Sequence, residues 1–165
     1  MKKTMMIIAL FVVLMISMAS RSDRDYQAAK GFSAPELELV GGSDSSKVEL
    51  SDLKGRYVLI NFWAASDAES RIAAHGFDRM MEKADKERLC LLQVNMDRSM
   101  RLFREIVRRD RLNEAQQFSV TAEDASAVKN AFHLNEGLQS YLLDPDGEII
   151  AVNPSVETVA RAIAS

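Results

Sequence analysis

Residues 57–71 read YVLINFWAASDAESR. The first seven, Tyr57-Val58-Leu59-Ile60-Asn61-Phe62-Trp63, are an almost unbroken β-branched, aromatic and aliphatic run. Such a run suits a strand buried on both faces, as at the centre of a parallel sheet. The sequence then changes period. From Ser66 to about Lys86, the residues Ala73, Phe77, Met80, Met81 and Ala84 recur along one side of a helix. Ser66-Asp67-Ala68-Glu69 has the S-x-x-E pattern of a capping box. In that motif the Ser66 hydroxyl accepts from the Glu69 N–H while Glu69 reaches back. Asp67 and Glu69 also put negative charge where the helix dipole favours it.

Working outward, residues 36–40 and 47–50 alternate polar and apolar around the turn-forming Gly41-Gly42-Ser43-Asp44-Ser45-Ser46, which predicts a hairpin. Residues 51–55 predict a short helical turn closed by Gly55. Residues 89–94 predict a second buried strand. Asp97 is the expected cap of a helix running to Arg109, with Met100, Phe103 and Val107 on one face. A short strand over 117–120 and a helix over 125–132 follow. A strand over 139–143 then leads through the tight turn Asp144-Pro145-Asp146-Gly147 to its return strand over 148–152. Asn153-Pro154 is expected to cap a last helix, with Val156, Val159, Ala160 and Ile163 inward. The order predicts an α/β domain with a central mixed sheet flanked by helices and an N-terminal β-hairpin.

The chain has 165 residues, enough for one domain with a real core. Its start has the form of an export signal. Met1-Lys2-Lys3 is basic, an uncharged apolar run spans residues 5–18, and Ser17-Met18-Ala19 offers small residues for cleavage. The division expected is a signal peptide over 1–19, a flexible leader over 20–33 and the folded domain over 34–165. Export to the periplasm or cell envelope of a bacterium follows, with an uncleaved N-terminal anchor as the alternative. Losing Lys2 and Lys3 would move the formal net charge from −3 to −5, which excludes a nucleic-acid binder by bulk charge. The single cysteine, Cys90, cannot form an internal disulfide.

The layout and four of its signposts resemble the thioredoxin-like superfamily, and within it the exported thiol-disulfide oxidoreductases related to TlpA and ResA. The signposts are Ala34-Pro35, Leu50-Ser51-Asp52-Leu53-Lys54-Gly55, Asn61-Phe62-Trp63-Ala64 and Tyr141-Leu142-Leu143-Asp144-Pro145-Asp146-Gly147. The resemblance implies a Cys-x-x-Cys-Arg motif shortly after the Trp. Here the two cysteine positions hold Asp67 and Ser70, and the arginine is Arg71. It also implies a cis-proline where Leu138 stands, so a trans bond is expected there. Dithiol exchange needs an attacking thiolate and a second, resolving thiol. Peroxidase and copper-chaperone chemistries of the same fold lack their cysteines here too.

The expectation is a redox-inactive protein-binding or scaffold module. Trp63, Ser66, Asp67, Glu69, Ser70 and Leu138 are the candidate binding residues, and no catalytic residue, metal or cofactor is expected. The alternative is thiol-disulfide work through Cys90 with a partner supplying the other thiol. Cys90 lies in Leu89-Cys90-Leu91-Leu92 and reads as a small apolar core residue. His75 and His133 read as surface or packing residues. Arg98, Arg101, Arg104, Arg108, Arg109 and Arg111 crowd one segment. They read as the solvated face of a helix, with an anion-binding patch as the alternative.

Overall fold

The computed structural model describes residues 28–164; the expected signal peptide and residues 20–27 of the expected leader lie outside them. Seven strands form one sheet in the order β2-β1-β5-β4-β3-β6-β7. They are β1 (Glu38–Gly41), β2 (Lys47–Glu49), β3 (Tyr57–Trp63), β4 (Leu89–Asn95), β5 (Gln117–Ser119), β6 (Ser140–Leu143) and β7 (Ile149–Val152). The helices are α1 (Ala68–Met81), α2 (Met100–Asp110), α3 (Ala125–Ala131) and α4 (Val156–Ala164). β3, β4 and β5 run parallel, while β1, β2, β6 and β7 add antiparallel flanks. This is the mixed α/β sheet that the sequence predicts.

The pleat of β3 explains its composition. Val58, Ile60 and Phe62 join Leu92, Val94, Tyr141, Leu143, Val128 and Phe132 on one face. Leu59 joins Phe77, Met81, Leu91, Leu142 and Val159 under α1 and α4 on the other. Trp63 extends that second face beneath α2, among Ala74, Phe103, Ile106 and Val107. Alternate residues therefore serve opposite layers, and neither layer tolerates a charge.

Several boundaries differ from the sequence reading. Residues 28–33, expected to be leader, are docked on the domain. Ala28 is buried, its N–H donates to the Ala131 carbonyl, and the Gly31 N–H donates to the Ile149 carbonyl. α1 stops at Met81, where the Met80 carbonyl accepts from both Lys83 and Ala84. Asp85 then turns the chain by accepting from the Glu87 N–H. α2 is capped by Ser99, whose hydroxyl accepts from the Leu102 N–H, so Asp97 is not its cap. Met100 is exposed, and Ile106 takes the expected place beside Phe103 and Val107. Ser155 caps α4 by accepting from the Thr158 N–H. Asn153 instead ties β7 to β6 through the Ser140 N–H and carbonyl. Ala160 faces solvent, and Ala162 packs inward instead.

The last hairpin turn is held as its composition requires. Asp144 Oδ1 accepts from the N–H groups of Asp146 and Glu148, and Gly147 takes the left-handed φ of 87°.

Candidate functional site

β3 delivers its chain at the C-terminal end of the parallel strands, and a tight turn reverses it. The Asp67 N–H donates to the Ala64 carbonyl at 3.1 Å. Four residues are needed for that turn, so the helix starts one position later than the capping-box reading places it. Asp67 is the N-cap: its Oδ1 accepts from the Ser70 N–H at 2.7 Å. Ser66 is exposed and does not cap. Glu69 lies in the first helical turn, exposed, where the helix dipole favours its charge.

Ser70 is buried, and its hydroxyl is fully engaged. It donates to the Asp67 carbonyl at 3.1 Å and accepts from the Ala64 N–H at 3.3 Å. The next residue fixes the helix from outside. Arg71 Nε donates to Asp110 Oδ2 at 2.9 Å, and its Nη2 reaches the same oxygen. Burial pushes the Asp110 carboxyl up. Hydrogen bonds and charge from Arg71 and Arg109 outweigh that and hold it below the usual carboxylate range. The start of α1 is thereby clamped to the end of α2.

Asp97 belongs to this site rather than to a helix cap. Its Oδ2 accepts from the Ala65 N–H and from Asn95 Nδ2, both at 2.8 Å. Asn95 Oδ1 accepts in return from the Asp97 N–H at 3.0 Å. The sequence signal for this pair was a polar Asn closing an otherwise apolar strand, two residues before a carboxylate. A cleft of about 480 Å³ opens beside it, lined by Asn95, Met96, Asp97, Arg98, Ser119 and Thr121 among others.

Leu138 does sit beside this region. The Phe62 N–H donates to the Gln139 carbonyl, and β6 pairs Ser140 with Asn61, so Leu138 falls alongside Trp63. Leu138 is half-buried against the core, and every peptide bond among the described residues is trans. Trp63 is completely buried against Phe103, with ring centroids 5.8 Å apart, so it cannot touch a partner. The exposed surface at the helix start is instead Ser66, Glu69 and Ile72, the last 71 % exposed. Glu69 and Ile72 share a face at i, i+3. Ile72 was missed because a lone apolar residue off the core stripe carries no periodic signal.

Cys90 packs against the edge of a core layer, as expected of a small apolar residue, but is only partly buried. β5 pairs with β4 only from Gln93 onward, which leaves the Cys90 end of β4 uncovered on that side. Cys90 pairs with Val58, five residues before the end of β3. At about 3.3 Å per residue, that puts the thiol roughly 16 Å down the strand from the end of β3 that leads into the helix start. Burial pushes the thiol's pKa up, and the nearby Arg56 charge offsets this only in part. His75 and His133 are half-buried and lie on different elements. Among the described residues, no group of three His, Cys, Asp or Glu side chains is placed to hold a metal.

Residues 27–152 match the family model for AhpC/TSA. A thioredoxin-like protein from Parabacteroides distasonis aligns at 27 % identity with a TM-score of 0.71, over 84 % of this chain and 97 % of that one. The thioredoxin domain of a thiol-disulfide oxidoreductase from Bacteroides vulgatus aligns at 22 % identity and a TM-score of 0.75, over 82 % and 98 %. A thiol:disulfide interchange protein from Bacteroides sp. aligns at 22 % identity and the same TM-score of 0.75, over 83 % and 91 %. At 22 % identity the last two establish the shared thioredoxin-like fold alone. No curated protein matches the chain.

Proposed function

The chain belongs to the AhpC/TSA family, and from that premise we propose that it performs no dithiol exchange and serves as a protein-binding module of the bacterial cell envelope. In this reading it is a TlpA/ResA-type protein whose two motif positions have become Asp67 and Ser70. The observation that carries the reading is the chemistry of the helix start. Both side chains there are spent on closing the helix and its turn, and neither contains sulfur. The only thiol, Cys90, lies on a different strand, at the other end of the sheet. An ordinary thiol is only a few per cent thiolate at neutral pH, and Cys90 is held below that fraction by its burial.

What remains at the helix start suits a partner protein. The backbone is clamped by Arg71–Asp110 and Asp97–Ala65, and its exposed face presents Ser66, Glu69 and Ile72 beside the Leu138 loop. A rigid surface loses little entropy on docking. The apolar leader at residues 5–18 supports export to the envelope.

The test is insulin reduction by the purified protein with dithiothreitol. The expected rate equals the uncatalysed control, and Cys90→Ser changes nothing. Turnover that survives Cys90→Ser would refute the premise that sulfur is required. Turnover that Cys90→Ser abolishes would favour a second reading, which the incomplete burial of the thiol supports: Cys90 forming a mixed disulfide with a partner's thiol.

A further inference from the structure

Residues 28–33 belong to the fold, and the way they join it points upstream. The Ala28 N–H donates to the Ala131 carbonyl at 2.8 Å, so the chain meets the domain at the C-terminal end of α3. Ala131 also lines a groove of about 530 Å³ between α3 and the β1–β2 hairpin. The lining includes Leu37 and Val128, which are buried in the same core layer as Ala28. Glu38, Glu49 and Asp124 add carboxylates to it. Glu38 and Glu49 stand directly opposite each other in the β1–β2 register, where like charges destabilise. Lys47 Nζ lies 2.6 Å from Glu38 Oε1 and answers that carboxylate. The hydrogen bond and charge of Glu38 push the Lys47 pKa up, and Glu49 and Asp124 add to the effect. One ammonium group thus stands among three carboxylates. The groove favours an occupant with an apolar side chain for its floor and a further cation for its rim.

The segment that leads to Ala28 has that composition. Residues 20–27 read SRSDRDYQ. In an extended chain alternate side chains share a side. Ala28 is buried, so Tyr26 and Arg24 fall on its side, and Asp25 and Asp23 fall on the other. The length fits as well. From Ala131 back to Asp124 is about 10 Å along the helix, at 1.5 Å per residue. An extended chain covers that distance in about three residues. A chain running back from Ala28 along α3 therefore brings Tyr26 over the apolar floor and Arg24 level with Asp124. A separate peptide would have to find the groove from solution, whereas this segment is tethered at its mouth, where a short link gives an effective concentration in the millimolar range.

We propose that residues 24–27 occupy this groove, with the Tyr26 ring on Leu37 and Val128 and the Arg24 guanidinium among Glu38, Glu49 and Asp124. The segment between the apolar leader and the domain is then a seated strap, which shortens the tether at the N-terminus. The groove is separate from the helix start and does not depend on the proposal for it. NMR of the chain beginning at Ser20, the form that the expected cleavage leaves, tests it. The heteronuclear NOE of the 24–27 amides is expected to match that of the domain, with contacts from the Tyr26 ring protons to the Val128 methyls. Arg24→Glu should drop these amides to the level of a free chain and remove the contacts. Glu38→Gln with Asp124→Asn, on the groove wall, should do the same. Arg24→Lys should keep the order, and Arg21→Glu, on the outward side, should leave it unchanged. If the wall variant does not fold, Arg24→Glu carries the comparison. Residues 24–27 relaxing as a free chain in the parent would overturn the proposal. So would order that Arg24→Glu leaves intact, or order that appears only as the protein dimerises on concentration, which would place a second copy's segment in the groove.

Discussion

Placing two thiols at positions 67 and 70 tests the reading of the helix start directly. Asp67→Cys with Ser70→Cys removes the cap, in which Asp67 Oδ1 accepts from the Ser70 N–H at 2.7 Å. That loss costs about 1 kcal/mol. It also removes both bonds of the Ser70 hydroxyl, to the Asp67 carbonyl and from the Ala64 N–H. At about 1 kcal/mol net for each, the reduced double variant should be about 3 kcal/mol less stable than the parent. For a domain of this size that is a fall of roughly 10 °C in melting temperature. Oxidation closes a loop of four residues and should return about 2 kcal/mol on the chain-entropy account, or roughly 6 °C. The thiol at position 67, at a helix N-terminus, should ionise below the usual thiol range. The assay is calorimetry of the variant with and without dithiothreitol, alongside thiol counting after exposure to oxidised glutathione. Ser66→Ala is the internal control and should move the melting temperature hardly at all, because Ser66 is exposed and caps nothing. A double variant that keeps the parent's circular dichroism yet never oxidises would refute the placement of these positions at the helix start. An unchanged melting temperature in the reduced form would refute the cap.

Two pH responses follow from buried groups. Asp110 has its folded pKa held low, since the Arg71 and Arg109 bonds outweigh the upward push of burial. Its contribution is therefore complete above the ordinary aspartate pKa of about 4 and is lost as pH falls through the lower folded value. Urea midpoints should drop on acidification, and Asp110→Asn should lower the neutral-pH stability by about 2 kcal/mol while flattening that acid limb. Tyr141 behaves oppositely: burial raises its phenol to about 12, and its hydroxyl donates to the Phe132 carbonyl at 2.6 Å. Its stabilisation is whole below about pH 10 and is lost as pH rises toward the folded value. An absorbance titration should show a late phenolate step, and Tyr141→Phe should remove it.

The strands were legible because their residues leave few alternatives. The run of seven from Tyr57 to Trp63 became β3 without a shift of either end. The Asp-Pro-Asp-Gly turn also formed as read, since Asp144 and Gly147 each do what only their side chain, or lack of one, permits. Caps were harder. Ser66 to Glu69 and Asp67 to Ser70 are overlapping windows, and both offer a capping side chain. Only the turn that takes the chain out of β3, closed by Asp67 N–H to Ala64 carbonyl, selects the second. That turn is tertiary information. The same holds for Asp97, which reads as a helix cap until β3 and β4 lie side by side and bring Ala65 to it. The charged stretch 82–87 contains no Gly or Pro to stop a helix, so the stop at Met81 was invisible. Cys90 read as a core residue because its neighbours are leucines, and it does pack on the core; that its burial is incomplete, at an end of β4 that the three-residue β5 does not reach, was not written near it.

The polar atoms on one face of the sheet are satisfied unevenly. At the helix start, Asp67, Ser70, Asn95 and Asp97 satisfy one another and the backbone of the turn. Such a network is stiff and satisfies its own members, while the buried Trp63 Nε1 beside it has no hydrogen-bond partner. A few residues away along the same face, Gln117 carries a cost that nothing in the chain offsets, about 1–3 kcal/mol for a buried amide without partners. Replacement by leucine would remove that cost and should raise the melting temperature.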